Sequence, residues 1–153
     1  EDDDKAWFEN TINLVRQRFF TLKDFSSQGR AYFSEDYDFD PAAIEKNLAK
    51  FPDLKTWLPE LADRFEAEFQ SSPPYEGGVA EGRGGSLAFS EENIETVVKA
   101  FTEEKGTKLG VIMNGARTLL TGVAVGPSML SVFETLGKDR SILRLKSQVV
   151  WNI

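Results

Sequence analysis

The sequence predicts an all-α protein, an α-helical bundle or cage of about seven or eight helices in two lobes. Apolar residues recur three or four positions apart along most of the chain, which is the spacing of one face of a helix. No stretch shows sustained alternation of apolar and polar residues, the pattern of a half-buried strand. With 153 residues, 41% of them hydrophobic, the chain is long and apolar enough to bury a core.

The predicted first lobe, residues 6–70, begins with two helices. The first runs from Ala6 to about Phe19 with an amphipathic pattern. Thr21 is placed to cap the second helix, and Gly29 weakens that helix internally.

Two further helices in this lobe are marked by aspartate and proline. Asp40 is a predicted cap with Pro41 at the first helical position, and this helix ends near Ala49. Asp53 is placed to cap the next helix, in which Pro59 predicts a kink or a late start.

A segment rich in Gly, Pro and Ser, residues 71–88, separates the lobes and predicts a flexible loop. Its Gly-Arg-Gly-Gly run lacks the preceding strand that a phosphate-binding glycine loop requires. The second lobe, residues 89–148, begins with a helix that Ser90 is placed to cap and Gly106 to end.

Three more helices and an apolar tail complete the prediction. Apolar spacing and the Gly and Pro signals predict helices over Leu109–Leu120 and Pro127–Leu136, followed by one over Arg140–Gln148. The tail, Val149–Trp151, either docks on the domain or lies against a further part of a larger protein. The acidic start, Glu1–Lys5, is compatible with an engineered cleavage-site remnant and equally with a native lead into the first helix.

Composition narrows the classes of function. The chain has no histidine, which removes the commonest general base and metal ligand, so we do not expect it to be a catalyst by itself. It has no cysteine, which excludes disulfides and permits a cytoplasmic setting. No apolar run approaches the ~20 residues that a membrane span needs.

Charge is unevenly distributed along the chain. The net charge of −7 is unfavourable for a nucleic-acid binder, because phosphates are neutralised by Lys and Arg. Residues 1–90 contain 18 acidic and 10 basic side chains, a net charge of −8, whereas residues 107–153 contain 6 basic and 2 acidic side chains, a net charge of +4. The C-terminal segment therefore predicts a local basic surface that is compatible with RNA.

Two arginines and one turn are the candidate binding groups. Arg117 lies on a mostly apolar helix, where it is either an ion-paired arginine or a guanidinium presented to a base edge or phosphate. Arg18, from the residues alone, is best explained as an exposed cation near a helix end. The segment Gly126-Pro127-Ser128-Met129 begins a helix, so free backbone N–H groups there are directed into the preceding loop.

An ordered set of motifs resembles a known family. The runs KLGVIMNGARTLLTG and GPSMLSVFETLGKDRSILRL, with VRQRFFTLKDFSSQGRAYFSEDYDFD upstream, resemble the C-terminal anticodon-binding domain of bacterial glutamyl-tRNA synthetases. The resemblance covers most of residues 7–146, in order and with similar spacing.

The resemblance implies roles for particular residues. It implies that Arg18 reads the third anticodon base and that Arg117 contacts the middle base. The following residues would line or support the anticodon pocket, with Lys99 the weakest candidate: Thr121, Gly126, Pro127, Met129 and Lys99. Many members have Pro-Gly-Leu-Phe where this chain has Pro-Ser-Met-Leu, which leaves the shape of the pocket open.

The resemblance also implies partners. The domain would bind the anticodon of tRNA(Glu) as part of a discriminating synthetase, in contact with the catalytic domain of the same enzyme. ATP and Mg would be used in that catalytic domain, no cofactor is expected in this chain, and the chain alone should not aminoacylate. We expect a monomer that does not bind membranes.

Two alternatives remain open. One is a helical protein-interaction module without an RNA role, favoured by the acidic total charge and the apolar tail. RNA binding through Arg18, Arg117 and Lys138 would weaken steeply with salt, whereas an apolar helix interface would not. The other is the cage domain of class I lysyl-tRNA synthetases, which the context of Arg18 and the Thr121–Gly122 motif fits less well.

Overall fold

The computed structural model describes residues 2–69 and 87–152 of the chain. Within these ranges the regular structure is helical and no strand is present, so the predicted all-α class is confirmed. No helix in the described residues is long and apolar enough to cross a membrane. The α-helices are α1 (Asp2–Arg16), α2 (Leu22–Ser27), α3 (Arg30–Phe33), α4 (Pro41–Ile44), α5 (Leu54–Glu68), α6 (Glu91–Lys105), α7 (Leu109–Thr121), α8 (Met129–Leu136) and α9 (Lys138–Leu145). A π-helical turn, Glu45–Ala49, continues α4, and a 3-10 turn, Val149–Asn152, follows α9.

Helix α1 is displaced toward the N-terminus from its predicted position. It begins earlier than predicted, at Asp2. It also ends at Arg16 rather than near Phe19. The N–H of Arg18 donates to the carbonyl of Val15 at 3.0 Å, a tight turn that ends the α-helical pattern.

The predicted second helix is divided at Gly29 into α2 and α3. Thr21 caps α2 as predicted, with its Oγ1 accepting from the N–H of Asp24 at 3.3 Å. The carboxylate of Asp24 accepts in return from the N–H of Thr21 at 2.9 Å, which completes a capping box. A Cβ at position 29 would lie 2.7 Å from the carbonyl oxygen of Phe25, so the glycine permits a close approach of the backbone.

The two aspartate signals of the first lobe have different outcomes. Asp40 caps α4 as predicted, with Oδ1 accepting from the N–H of Ala42 at 2.9 Å and Pro41 at the first helical position. The predicted cap at Asp53 is wrong, because its backbone is already helical and its side chain makes no capping hydrogen bond. Helix α5 begins directly after Asp53 and contains Pro59, so the predicted late start is also wrong.

Helix α6 begins where predicted but is capped from a distance. Ser90 precedes α6, and its predicted side-chain cap is wrong because it makes no capping hydrogen bond. The carboxylate of Glu134 on α8 instead accepts from the N–H of Glu91 at 2.8 Å. Gly106 ends α6 as predicted, in the left-handed region with φ of 64°.

The last two α-helices follow each other with almost no connection. Helix α8 begins at Met129, so the predicted start at Pro127 is wrong, and Pro127 lies buried in the preceding loop. Gly137 ends α8 as predicted, with φ of 83°, and α9 begins at Lys138. Helix α9 ends at Leu145, earlier than predicted.

Side chains from both sides of the predicted loop share one hydrophobic core. The ring of Phe65 on α5 makes edge-to-face contacts with Phe69, Phe89 and Phe133, at centroid distances of 5.6, 5.6 and 5.3 Å. Residues 71–86 of the predicted loop lie outside the described residues, and the lobe boundaries remain a prediction.

The apolar tail lies against the domain. Its residues form the 3-10 turn, in which Val150 is buried and Trp151 packs partly buried on the core. Of the two predicted alternatives, the structure therefore has the docked tail.

Candidate nucleic-acid interface

A cavity of ≈ 320 Å³ lies between the segment that follows α1 and the loop that precedes α8. Most of its wall comes from these two connections, with additional residues from the end of α2 and from α3. The lining residues are Gln17, Arg18, Phe19, Phe20, Gln28, Tyr32, Val123, Val125, Gly126 and Pro127.

The end of α7 determines the direction of the loop that forms one wall. The hydroxyl of Thr121 donates to the carbonyl of Arg117 at 2.8 Å, and Gly122 then leaves the helix with φ of 77°. A Cβ at position 122 would lie 2.1 Å from the carbonyl oxygen of Asp38, and the carbonyl of Gly122 accepts from the N–H of Asp40 at 2.8 Å. Only glycine fits this position, which fastens the segment before α4 onto the end of α7.

Arg117 lies directly behind Gly126. Its Nη1 is 2.9 Å from the position that a Cβ at Gly126 would occupy. This Nη1 is buried and has no hydrogen-bond partner in the described part of the chain. Burial lowers the pKa of Arg117, the nearby phenol of Tyr32 raises it and the charge of Arg18 lowers it. An unsatisfied buried donor is costly, so an acceptor arriving here would be stabilised.

Arg18 lines the cavity itself and is exposed. Its charge is close enough to affect the pKa of Arg117, so residues 99 positions apart in the sequence share one region of the molecule. Among residues 2–69 and 87–152, neither guanidinium lies within 4.0 Å of a carboxylate. Neither arginine is therefore neutralised by a carboxylate of the described residues, and Arg18 is open to an acceptor supplied by a ligand.

Tyr32 is a member of the wall that the sequence analysis did not single out. Burial raises the pKa of its phenol to about 12, against the opposing effects of Arg117, Arg18 and Arg144. The phenol therefore stays protonated at neutral pH and can both donate and accept a hydrogen bond. Its sequence pattern is the same as that of the core aromatic residues, so only the three-dimensional position distinguishes it.

The structure separates the predicted site residues into three groups. Arg18, Gly126 and Pro127 line the cavity, and Arg117 lies behind the wall. Two more residues are close to it in sequence but are buried and absent from the lining, Thr121 and Met129. Lys99 on α6 is exposed, forms an ion pair with Glu95 at 2.7 Å and does not line the cavity.

Four of the six basic residues of the C-terminal segment direct their charged groups at acceptors within the domain, which reduces the predicted basic surface: Lys138, Arg140, Arg144 and Lys146. Lys138 donates to the carbonyl of Phe69 at 2.9 Å. Lys146 pairs with Asp63 and Glu66, at 2.7 and 3.0 Å.

Arg144 is the most deeply buried of these residues. Its Nη1 donates to the carbonyls of Ala31 and Leu120, both at 2.7 Å, and its Nη2 donates to the carbonyl of Ser34 at 3.1 Å. The guanidinium also lies over the ring of Tyr37, 4.5 Å from the centroid. This arginine joins α3, α7 and α9, and it has a structural role that the sequence pattern did not reveal.

The cavity has one arginine on its wall and a second behind it, neither with a carboxylate partner in the part of the chain that the structure describes, and this arrangement suits a ligand rich in acceptors. The family of the domain is given by comparison with known proteins. The model of the family described as "Anticodon binding domain" matches residues 1–73 and 83–149, so the chain belongs to that family.

The relatives are glutamate–tRNA ligases. The chain is 41% identical to the enzyme of Desulfotalea psychrophila over 145 residues, which are 94% of this chain and 26% of the relative. It is 29% identical to that of Thermus thermophilus over 144 residues, again 94% of this chain and 26% of the relative. The structure of a glutamate tRNA ligase from Elizabethkingia meningosepticum in complex with its amino acid superimposes with a TM-score of 0.66 and 25% identity, covering 89% of this chain and 23% of that one.

These matches confirm the resemblance predicted from the sequence motifs. The chain is an anticodon-binding domain of the glutamate–tRNA ligase type, and it spans about a quarter of the length of the relatives it matches.

Proposed function

We propose that this domain binds the anticodon of tRNA(Glu) as the C-terminal part of a discriminating glutamate–tRNA ligase. The observation that carries the proposal is the cavity between Arg18 and Gly126, with the buried and unsatisfied Nη1 of Arg117 behind its wall. RNA readers of single strands bind splayed bases by their edges and faces, which requires a concave surface with directed donors.

Arg18 reads the third anticodon base. A guanidinium offers only donors, so it matches the O2 and N3 acceptors of cytosine and opposes the N1–H and N2–H donors of guanine. Support comes from the exposed position of Arg18 on the cavity wall, without a carboxylate partner among the described residues. Discrimination would therefore arise at the third position.

Arg117 and the loop in front of it bind the middle base. Gly126 and Pro127 supply the wall, and the absence of a side chain at Gly126 brings the guanidinium close to the cavity. Thr121 fixes the end of α7 through its hydrogen bond to the carbonyl of Arg117, and Met129, the first residue of α8, is buried in the core. Lys99 does not line the cavity and contributes to RNA binding only through the electrostatic potential of the domain.

The rest of the enzyme supplies the chemistry. In the described residues no group of three His, Cys, Asp or Glu side chains is placed to hold a metal ion. ATP and Mg would act in the separate catalytic domain, which is the intramolecular partner of this one. The complete enzyme would ligate glutamate to tRNA(Glu) in the cytoplasm, as a monomer.

The test is a binding measurement with RNA stem-loops that differ only at the third anticodon position. Wild-type protein should prefer cytosine over guanine, and Arg18→Gln should reduce that preference by about 1–3 kcal/mol, roughly 5- to 150-fold. Arg16→Gln is the matched control, because Arg16 is also exposed but lies outside the cavity lining. An unchanged preference in the Arg18 variant contradicts the assignment.

Salt dependence provides a second measurement on the same samples. Binding that neutralises phosphates weakens as salt rises, because counterions are released from the RNA. An affinity that does not change between low and physiological salt would favour a protein-interaction module instead.

A further inference from the structure

Phe20 is an exposed aromatic ring at the mouth of the cavity. Its side chain is 90% exposed, although it lines the cavity together with Arg18. Two other exposed apolar side chains lie nearby. Leu22, two positions along the chain, is 88% exposed, and Val125, on the opposite wall of the cavity, is 70% exposed. Removing an exposed aromatic ring from water is favourable, so a ligand that covers Phe20 gains binding energy.

The backbone that carries Phe20 is held in place. The carboxylate of Asp24 accepts from the N–H groups of Phe20 and Thr21, both at 2.9 Å. On the other side, the ring of Phe19 packs edge-to-face against Phe25 at 4.9 Å. The backbone of Phe20 is thus held between two fixed neighbours, so less conformational freedom is lost when a ligand covers its ring.

We infer that Phe20 is the stacking surface for the nucleobase whose edge Arg18 contacts. This inference rests on the proposed function and assigns the face of the base as well as its edge. A planar ring beside donors matches an unstacked base, which has an apolar face and a polar edge. An apolar protein partner would instead cover Arg18 and Arg117 without giving them acceptors, which is costly for buried charge.

Other exposed rings of the domain are less suitable. Phe8 and Phe33 contact each other at 5.6 Å, so part of each ring is already covered. Neither of them lines the cavity that contains Arg18. Phe20 combines an exposed ring, an ordered backbone and a neighbouring guanidinium.

The two residues would have separable effects on binding. Stacking on an aromatic ring is tolerant of base identity, because every base has a π-face. Phe20 should therefore contribute affinity for any base at the third position, whereas Arg18 should contribute the preference for cytosine.

The experiment compares Phe20→Ala with wild type on two stem-loops, one intact and one with an abasic third anticodon nucleotide. Alanine should weaken binding of the intact RNA by about fivefold or more, the lower end for one base–aromatic stack, and should leave binding of the abasic RNA unchanged. Phe20→Trp should restore most of the affinity for the intact RNA. Leu143→Ala, at a 65% exposed apolar residue on α9, is the matched control and should bind both RNAs as wild type does.

The outcomes separate this inference from the proposed function. Equal losses on the intact and the abasic RNA would show that Phe20 does not stack on that base, which overturns the inference. No loss on either RNA, with the cytosine preference of wild type intact, also overturns it and leaves the proposed function standing. A wild-type protein that does not distinguish the anticodon loop from a scrambled loop would overturn both.

Discussion

The Nη1 of Arg117 lies 2.9 Å from the point where a side chain at Gly126 would begin. The two residues belong to different segments, α7 and the loop before α8, and no hydrogen bond joins them in the described structure. The glycine therefore acts by leaving space. That space allows a buried guanidinium to lie next to the wall of the cavity.

Gly126→Ala should weaken RNA binding more than it weakens folding. The added methyl group would meet the far end of a flexible side chain, so the guanidinium can move aside. We expect a change of less than about 1 kcal/mol in the free energy of unfolding. Loss of one positioned guanidinium should cost about 1–3 kcal/mol of binding to an anticodon stem-loop. Denaturant unfolding and RNA titration measure the two effects.

Gly110→Ala is the control for this prediction. Gly110 is exposed near the start of α7, and a Cβ there would meet nothing within 4 Å. Alanine should slightly stabilise the helix and leave RNA affinity unchanged. If both glycine variants bind RNA equally well, the position of Arg117 does not matter for recognition.

The sequence could predict features that depend on neighbouring residues. Thr21 and Asp24 form their capping box within four residues of chain, and Asp40 with Pro41 starts α4 in the same local way. Gly106 ends α6 through its own conformation. Each of these signals is complete in a short segment, so no tertiary information is needed.

The sequence could not predict features that depend on distant partners. The N-terminus of α6 is capped by Glu134, which accepts from an N–H 43 positions away, whereas the local sequence pattern indicates Ser90. Arg117 and Arg144 both lie among apolar residues in the sequence. Arg144 is a buried structural arginine, whereas Arg117 has a donor without a hydrogen-bond partner beside a cavity. This difference is made only by the segments packed against each of them.

Arg144→Met should be strongly destabilising. The substitution removes the donor of three hydrogen bonds, to the carbonyls of Ala31, Leu120 and Ser34. The bonds to Ala31 and Leu120 are buried, so their carbonyls are left without partners. We expect a loss of about 3 kcal/mol in the free energy of unfolding, measured by denaturant titration.

Arg140→Met is the matched control for that prediction. Arg140 pairs with the half-exposed Glu35 at 3.1 Å and is itself 38% exposed, so its contribution is screened by solvent. We expect a loss of about 1 kcal/mol or less. Equal losses in the two variants would mean that burial of Arg144 does not determine its contribution.

Asp24→Asn should change how stability depends on pH. Hydrogen bonds from the N–H groups of Phe20, the larger effect, and of Thr21 lower the pKa of Asp24 below its usual value. A carboxyl with a lowered pKa in the folded state stabilises the fold fully above its unfolded pKa, about 3.9, and loses this contribution as pH falls through the folded pKa. The asparagine variant lacks the titrating group.

The difference in melting temperature between wild type and Asp24→Asn should therefore be largest near neutral pH and should narrow as the pH falls below about 4. Thermal unfolding followed by circular dichroism over this range measures it. Asp53→Asn is the control, because Asp53 occupies a helix-start position without a capping hydrogen bond. This variant should have the melting temperature of wild type near neutral pH. A difference for Asp24→Asn that stays constant down to pH 2 would show that the N–H groups of Phe20 and Thr21 do not hold the ionised carboxylate, and the ring of Phe20 would then lack the fixed backbone described above.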